Sequence, residues 1–353
     1  MPVEKRKSDI YFRDNKISSF SYEEIPLIVD KLVDSCKSDP FFKNCNASVL
    51  PSKDSVVDIV HKAREILFPG YFTQTRIDPN NLEYYLGQEV ILLFENLVQQ
   101  TSRSTGHECL NENLPCPECF EQGREASSRF IQSLPEIRLI LSEDVRAACD
   151  GDPAVKRPDE VIFSYPGFFA VTVYRIAHVL YELETALIPR MMTEYAHSLT
   201  GIDIHPGARI GKRFFIDHGT GVVIGETTEI GDRVRIYQGV TLGALSLPRD
   251  SVDKYRHRKR HPTIGNDVII YSNATILGEN AVIGERSVIG GNVWITEPVP
   301  PDTKVLLKQQ ELIYRGNTTK NIRSESPRSR ATRYQDGFLN SDAEQRGILS
   351  IKR

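Results

Sequence analysis

The sequence predicts an α+β chain in three parts: a helical N-terminal domain over residues 1–200, a parallel β-helix of hexapeptide repeats over 201–300, and a flexible C-terminal tail over 301–353. Three observations predict it. Before Gly201 apolar residues recur at three- and four-residue spacing, the signature of amphipathic helices. After Gly201 they recur every six, which neither the helix period of about 3.6 nor the strand period of 2 explains. From about residue 316 onward large apolar residues become scarce while Ser, Arg, Asn and Asp accumulate, a composition that cannot bury a core of its own.

In the first part, "NLEYYLGQEVILLFENLVQQ" places Leu82, Tyr85, Leu86, Leu93, Phe94 and Leu97 on one helix face. "EIRLILSEDVRAA" and "FFAVTVYRIAHVLYELETALIPRMMTEYAHSL" continue in that style, the second with a bend expected at Pro189. The Pro-, Cys- and Gly-containing stretch from Ser102 to Gly123 is the expected internal loop.

In the second part, Ile204, Ile210 and Ile216 are spaced by six, and Ile224, Ile230, Ile236 and Leu242 continue two residues out of phase. The period resumes at Ile264, Ile270 and Ile276, and again at Ile283, Ile289 and Ile295 after a shift of one. In such a repeat each hexapeptide makes a short strand and a turn, and three of them close one triangular coil of about 18 residues. The isoleucines point inward. A single prism leaves its faces and ends uncovered, so association through the faces is expected, with the helical part capping one end.

Bulk properties exclude several classes. The formal net charge is −3 over 353 residues, so the totals offer no reason to expect a nucleic-acid partner. No run approaches the roughly 18 apolar residues of a membrane span, and the N-terminus lacks an apolar secretory segment. A cytoplasmic location without a membrane partner is the expectation. The six cysteines are then expected as reduced thiols. Four soft side chains in "HECLNENLPCPEC" (His107, Cys109, Cys116 and Cys119) are a candidate structural zinc set, against the plainer reading of a cysteine-bearing loop.

Chemistry concentrates where the repeat departs from bland residues. "GIDIHPGARIGKRFFIDHGTGVVIGET" carries Asp203, His205, Asp217 and His218. A histidine that takes a proton from a hydroxyl works best with a pKa near neutrality and a partner that fixes its tautomer. Asp203 lies fifteen positions before His218 (203 to 218), close enough to one coil to place the two carboxylate and imidazole groups one above the other, as in a triad. Asp217 is then free to hold a cationic amine. The small "GTG" run beside His218 leaves room for a ligand, whereas His205, before "PGA", reads as a polar corner residue. Between Leu242 and Ile264 the repeat is interrupted by a loop with Arg249, Lys254, Arg256, Arg258, Lys259, Arg260 and His261, suited to an anionic ligand. No aromatic platform accompanies it for nucleic acid.

From about Gly151 to Thr303 the pieces "DPAV", "YRIAH", "DIHPGARIG", "DHGTGVVIGET", "GVTLG", "RHPTIG" and "EPVPPDT" resemble the serine O-acetyltransferases of the hexapeptide acyltransferase superfamily. The resemblance implies a left-handed β-helix assembled as a homotrimer, or a hexamer paired through the helical domain, with the active site between subunits. It implies that His218 is the general base on the hydroxyl of L-serine and that Asp203 orients it. It places Asp152 and Asp217 at the serine amino group, Arg260 and His261 at its carboxylate, and Glu226 in the same acceptor set. No cofactor is permanently bound: acetyl-CoA is a co-substrate, running past Gly243, Ala244, Tyr271 and Ser272 to give O-acetyl-L-serine and CoA, the first step of cysteine synthesis from serine. L-cysteine is the implied competing inhibitor. Three departures stand out: a longer helical part, a longer 243–263 loop, and Tyr271, Ser272 and Asn273 where the family carries Gly-Ala-Gly.

Many relatives end in an isoleucine that enters a sulfhydrylase. Here Lys352 and Arg353 follow Ile351, which separates the apolar side chain from the terminal carboxylate, so that complex is not expected. The rival readings are acetyl transfer to an amino sugar or homoserine, a metal-dependent hydratase needing three histidines at one interface, and a non-catalytic scaffold. Thiol release from acetyl-CoA with serine, homoserine, glucosamine or no acceptor separates them.

Overall fold

The computed structural model describes residues 22–38, 50–73, 76–111, 118–246 and 258–308. The expectations for Ile351–Arg353 and for Arg249, Lys254 and Arg256 lie outside the described residues. After a 3₁₀ turn (Tyr22–Glu24) come α1 (Ile25–Ser38), α2 (Lys53–Leu67), α3 (Leu82–Asn111), α4 (Cys119–Gly151), α5 (Pro158–Ser164), α6 (Pro166–Glu182) and α7 (Ile188–Thr200). None of the described helices is long and apolar enough to cross a membrane.

Two expectations are corrected here. The described parts of the stretch from Ser102 to Gly123 are mostly helical: α3 continues to Asn111 and α4 starts at Cys119. Its small residues serve close packing between two long helices. A Cβ on Gly123 would fall 2.5 Å from Ser102 Oγ, and the Thr101 hydroxyl meets Ser127 Oγ at 3.1 Å and donates to the Gly123 carbonyl at 2.9 Å. The bend at Pro189 is instead a break. α6 ends at Glu182, and Pro189 sits in the first turn of α7, where its missing N–H costs no intrahelical bond.

After Gly201 the chain forms a left-handed β-helix of two- and three-residue strands. One face stacks β1 (Asp203–Ile204), β4 (Val223–Ile224), β7 (Thr241–Gly243), β10 (Thr275–Leu277) and β13 (Trp294–Ile295). The second stacks β2 (Arg209–Ile210), β5 (Glu229–Ile230), β8 (Thr263–Ile264) and β11 (Val282–Ile283). The third stacks β3 (Phe215–Ile216), β6 (Arg235–Ile236), β9 (Ile269–Ile270), β12 (Val288–Ile289) and β14 (Lys304–Val305). All ladders are parallel and in register: Ile204 lies on Ile224, Ile210 on Ile230, Ile216 on Ile236. The period-six isoleucines are the buried core.

The helical and β-helical parts interlock. Ala170, Val171 and Tyr174 of α6 belong to the prism core, while Phe215 of β3 belongs to the helical core. The "YRIAH" stretch supplies the polar half of this junction. Tyr174 donates to the Ala208 carbonyl at 2.5 Å, and a ring nitrogen of His178 lies 2.7 Å from the Pro206 carbonyl. Arg175 donates to the carbonyls of Ile210 (2.5 Å) and Gly211 (2.6 Å) and pairs with the buried Asp144 of α4 (3.1 Å). Asp144 in turn accepts the Phe214 N–H at 2.9 Å. One buried ion pair therefore ties α4, α6 and the first coil together, with each partner's remaining capacity used on backbone.

Removing one partner leaves a buried charge unpaired. Asp144→Ala is expected to destabilise the protein by about 3–5 kcal/mol, read as a lowered midpoint in guanidinium denaturation. Asp144→Leu combined with Arg175→Met should lose less than the single change. Equal stability of Asp144→Ala and wild type would show that the junction does not depend on the pair.

Candidate active site

The first coil is longer than its sequence suggests. Asp203 pairs with Val223, a step of 20 (203 to 223), whereas Val223 pairs with Thr241, a step of 18 (223 to 241). The two additional residues lie in the corner Asp217-His218-Gly219-Thr220, between β3 and β4, and they are the phase shift visible after Ile216. Because the flanking isoleucines hold their register, the extra chain is displaced outward. His218 adopts φ +57°, in the left-handed region uncommon for residues other than glycine, and its side chain is 73% exposed. The same φ recurs at other β-helix corners such as Arg213, Arg233 and Asp267, so exposure rather than backbone conformation sets His218 apart.

Asp217, beside it, is only 15% exposed, and its Oδ1 lies 3.9 Å from His218 Nε2. Burial, followed by the negative charge of Asp152, pushes the Asp217 carboxyl above the ordinary aspartate value, with the His218 ring opposing. Asp152 terminates α4. Its carboxylate accepts the Ala154 N–H at 2.8 Å and the Tyr165 hydroxyl at 2.5 Å, and burial with the Asp152 bond holds the Tyr165 proton on, pushing its pKa up. The Arg235 guanidinium fills the space where a Cβ on Gly151 would lie and faces Asp217. The structure thus brings Asp152, Asp217 and His218 together as two clustered carboxylates beside an accessible imidazole: a place for a cation next to a base.

Arg260, His261 and Glu226 form a second cluster on a different corner, between the β1 and β2 faces. Glu226 is ion-paired with Arg260 and accepts the Tyr181 hydroxyl at 3.1 Å. Thr227 N–H donates to His261 Nδ1 at 3.1 Å, which leaves the ring proton on Nε2. The Thr227 hydroxyl oxygen accepts the N–H of Arg260 at 2.9 Å and of His261 at 3.2 Å. His261 packs so closely on Gly225 that a Cβ there would fall 2.0 Å from its ring. Burial and then the Arg260 charge lower its pKa to about 4, so the ring is a neutral donor at pH 7. A cleft of about 330 Å³ opens beside it, lined in part by Tyr181, Glu226, Thr227, Arg258 and Lys259. His205 joins this cluster through the charges of Glu226 and Arg260, with its Nδ1 accepting the Gly207 N–H at 3.1 Å.

Other expected partnerships are absent from the protomer. No hydrogen bond joins Asp203 to His218. The 20-residue step stacks Asp203 on Val223, and its carboxylate instead comes within 4.8 Å of ligand atoms of His197 and Glu194 on α7. Gly243 and Ala244 lie at the Arg260 corner, while Tyr271 and Ser272 lie at the His218 corner, where the Tyr237 and Tyr271 rings stack at 5.1 Å and 11°. Of the zinc candidates, Cys116 lies outside the described residues. Cys109 and Cys119 bring their sulfurs within 3.8 Å, but Cys119 is disulfide-bonded, against the reduced state expected, and offers no thiolate. The facing ends of α3 and α4 bring these two sulfurs together. Tyr165, Arg235, Thr227 and Tyr181 carry much of the site and were not picked out from sequence. No spacing rule links Tyr165 to Asp152, though "SYPG" before a helix does mark a structured junction.

A buried histidine held neutral makes stability depend on pH. Between pH 6.5 and about 4 the unfolded chain binds a proton that folded His261 refuses, so stability falls as pH drops through that window, by up to about 3 kcal/mol. His261→Gln should flatten the fall in thermal midpoint over pH 6.5–4 relative to wild type. Parallel pH profiles would contradict a neutral buried ring.

The comparisons with known proteins agree on one family. No family model matches the chain. A plasmid-encoded serine acetyltransferase of Synechococcus elongatus is 45% identical over 275 residues, covering 77% of this chain and 84% of that protein. The serine acetyltransferase of Mycobacterium tuberculosis is 50% identical over 163 residues, 46% of this chain and 67% of its own. Among solved structures, Entamoeba histolytica serine acetyltransferase 1 in complex with L-cysteine superposes with a TM-score of 0.61 at 34% identity, covering 81% of this chain and 98% of that one.

Proposed function

Since the chain belongs to the serine acetyltransferase family, we propose that its two corner clusters are the two halves of one active site, completed between neighbouring copies. The chain is an acyltransferase that places an acetyl group on the hydroxyl of serine. The observation that carries the residue assignment is the buried Asp217 beside Asp152 next to the exposed His218. A serine ammonium neutralises the two carboxylates, which sets the serine hydroxyl against the imidazole. Arg260, held by Glu226, is the partner for the serine carboxylate, and the neutral His261 donates a hydrogen bond beside it.

His218 takes the hydroxyl proton as the serine oxygen attacks the thioester carbonyl carbon of acetyl-CoA. The carbon–oxygen bond forms, the carbon–sulfur bond breaks, and the CoA thiolate leaves with the proton that His218 took. A positioned wall that needs no rearrangement during attack is what the stacked coils provide. Arg258 and Lys259, at the cleft beside Glu226, are the cations for the anionic end of CoA. Cysteine carries the same ammonium and carboxylate, with a thiol for the hydroxyl, so it competes for the same grip.

Placing the His218 corner of one copy against the Arg260 corner of the next is a cyclic arrangement, and the triangular prism closes it as a homotrimer. The outward column of the β1–β13 face supports this, with Val223 on β4 and Trp294 on β13, the latter 70% exposed in the single chain.

His218→Ala is expected to lower kcat by about two to four powers of ten while acetyl-CoA binding, measured by calorimetry, is retained. Asp203→Asn should have a smaller effect, since no hydrogen bond ties it to the ring. Near wild-type turnover of His218→Ala would remove the base assignment.

For the acceptor grip, Asp152→Ala and Asp217→Ala should each raise the KM for serine about ten- to a hundredfold, the worth of a charge-assisted hydrogen bond of about 1.5–3 kcal/mol. Because Asp217 binds the ammonium only when ionised and its pKa is raised, kcat/KM for serine should fall with decreasing pH before ordinary aspartates titrate. Kinetics in which acetyl-CoA alone is affected would move both aspartates to the other substrate.

A further inference from the structure

A carboxylate that grips an ammonium has to keep its oxygens in place, and Asp152 stands where its own helix gives it little support. It ends α4 with extended backbone (φ −118°, ψ 107°) and is followed by Pro153. A side chain there turns about its own torsions unless donors hold it. Two donors do. The Ala154 N–H holds one oxygen at 2.8 Å, and the Tyr165 hydroxyl holds the other at 2.5 Å. The first belongs to the same turn of chain and moves with Asp152. The second comes from thirteen residues away, at the junction of α5 and α6.

Tyr165 is fixed independently of Asp152. Its N–H donates to the Val161 carbonyl at 3.2 Å, and its carbonyl accepts the Phe169 N–H at 3.1 Å, so it closes one helix and opens the next. Pro166 confines the residue before it to extended backbone, observed as φ −84° and ψ 113°. The ring packs on the helical core. Nearby in the chain, Gly167 lies against the Ile216 carbonyl, so the same junction touches the residue before Asp217. Burial, then the Asp152 bond and the charges of Asp152 and Asp217, keep the proton on the phenol, which therefore stays a donor.

We propose that Tyr165 is a positioning residue for the acceptor ammonium, acting through Asp152 by fixing the angle of its carboxylate. The proposal rests on the assignment of Asp152 and Asp217 to the serine ammonium. A carboxylate has about four acceptor positions on its two oxygens. The phenol and the Ala154 N–H use two and leave the others for the ligand. A neutral donor suits this task better than a cation. An arginine or lysine bonded to Asp152 would neutralise it and compete with the ammonium, whereas a phenol holds the group and leaves its charge unspent. Filling the helical core would require only the ring, and phenylalanine would serve as well.

The test is a double-mutant cycle on the full-length protein: wild type, Tyr165→Phe, Asp152→Ala and the double variant, with serine and acetyl-CoA varied in turn. Tyr165→Phe removes one oxygen and keeps the ring. It should raise the KM for serine about three- to tenfold, the worth of one hydrogen bond. The effect on kcat should be smaller, and the KM for acetyl-CoA should not move. L-cysteine, titrated by calorimetry as a probe with the same ammonium, should bind more weakly by the same factor. On the Asp152→Ala background Tyr165→Phe should cost nothing further, because the group that the phenol holds is gone. A wild-type serine KM in Tyr165→Phe overturns the proposal. So does a penalty of equal size with and without the Asp152 carboxylate, which would make the phenol act by another route. A serine KM unchanged in Asp152→Ala alone overturns the ammonium assignment itself, and that single variant reads it separately.

Discussion

Every inward side chain of the prism has to land on the inward side chain of the neighbouring coil. Ile204, Ile224 and Leu242 form one such column, and Ile216, Ile236 and Ile270 another. A parallel stack of two-residue strands has no other source of core, so the register cannot be relaxed without exposing isoleucine. Extra residues therefore leave at a corner. The chain does this twice near the candidate site: by two residues at Asp217–Thr220, and by a long excursion between Gly243 and Thr263, which makes the step from Thr241 to Thr275 as large as 34 (241 to 275). Both departures carry side chains of the candidate site. The scaffold's rigidity and the exposure of His218 are two consequences of one packing rule.

The helical domain contributes more than a cap. Asp152 reaches Asp217 because α4 ends at the first coil, and α4 ends there because Asp144, two turns earlier, is bonded to Arg175 and to the Phe214 backbone. The close approach leaves its mark at Gly167 in α6, where a Cβ would fall 2.2 Å from the Ile216 carbonyl. Ile216 immediately precedes Asp217. The residues that fix the helices on the prism are thus chain neighbours of the residues proposed to face the ligand, and a shift of α4 or α6 would separate the two carboxylates.

Much of this was legible in the sequence, for physical reasons that differ by element. The six-residue period survives any inspection because each isoleucine is a core position with no tolerance for polar replacement. Asp152, Asp217, His218, Arg260 and His261 were legible through their motifs, and the structure gathers them as two groups. The orientation of Asp203 was not legible. It depended on a coil length of about 18, and the corner insertion that exposes His218 is the very feature that lengthens the coil to 20. The described ends of the Ser102–Gly123 stretch misled because small residues mark turns when exposed and close helix packing when buried, and composition cannot separate the two. Tyr165 was invisible because its bond to Asp152 joins two elements with no shared period.

The division of the site between two corners follows from the same geometry. One corner gathers two carboxylates, with burial and the charge of Asp152 raising the proton affinity of Asp217, and calls for a cation. The other gathers guanidinium groups around a histidine kept neutral by burial. A zwitterion such as serine has charges of both signs within a few bonds, so it cannot satisfy both corners of one prism, which are held apart by a whole face. Two prisms side by side can present them across one gap. On the proposed reading the need for a second copy would come from the substrate's shape, and binding of a small amino acid would be linked to the assembly of the protein that binds it.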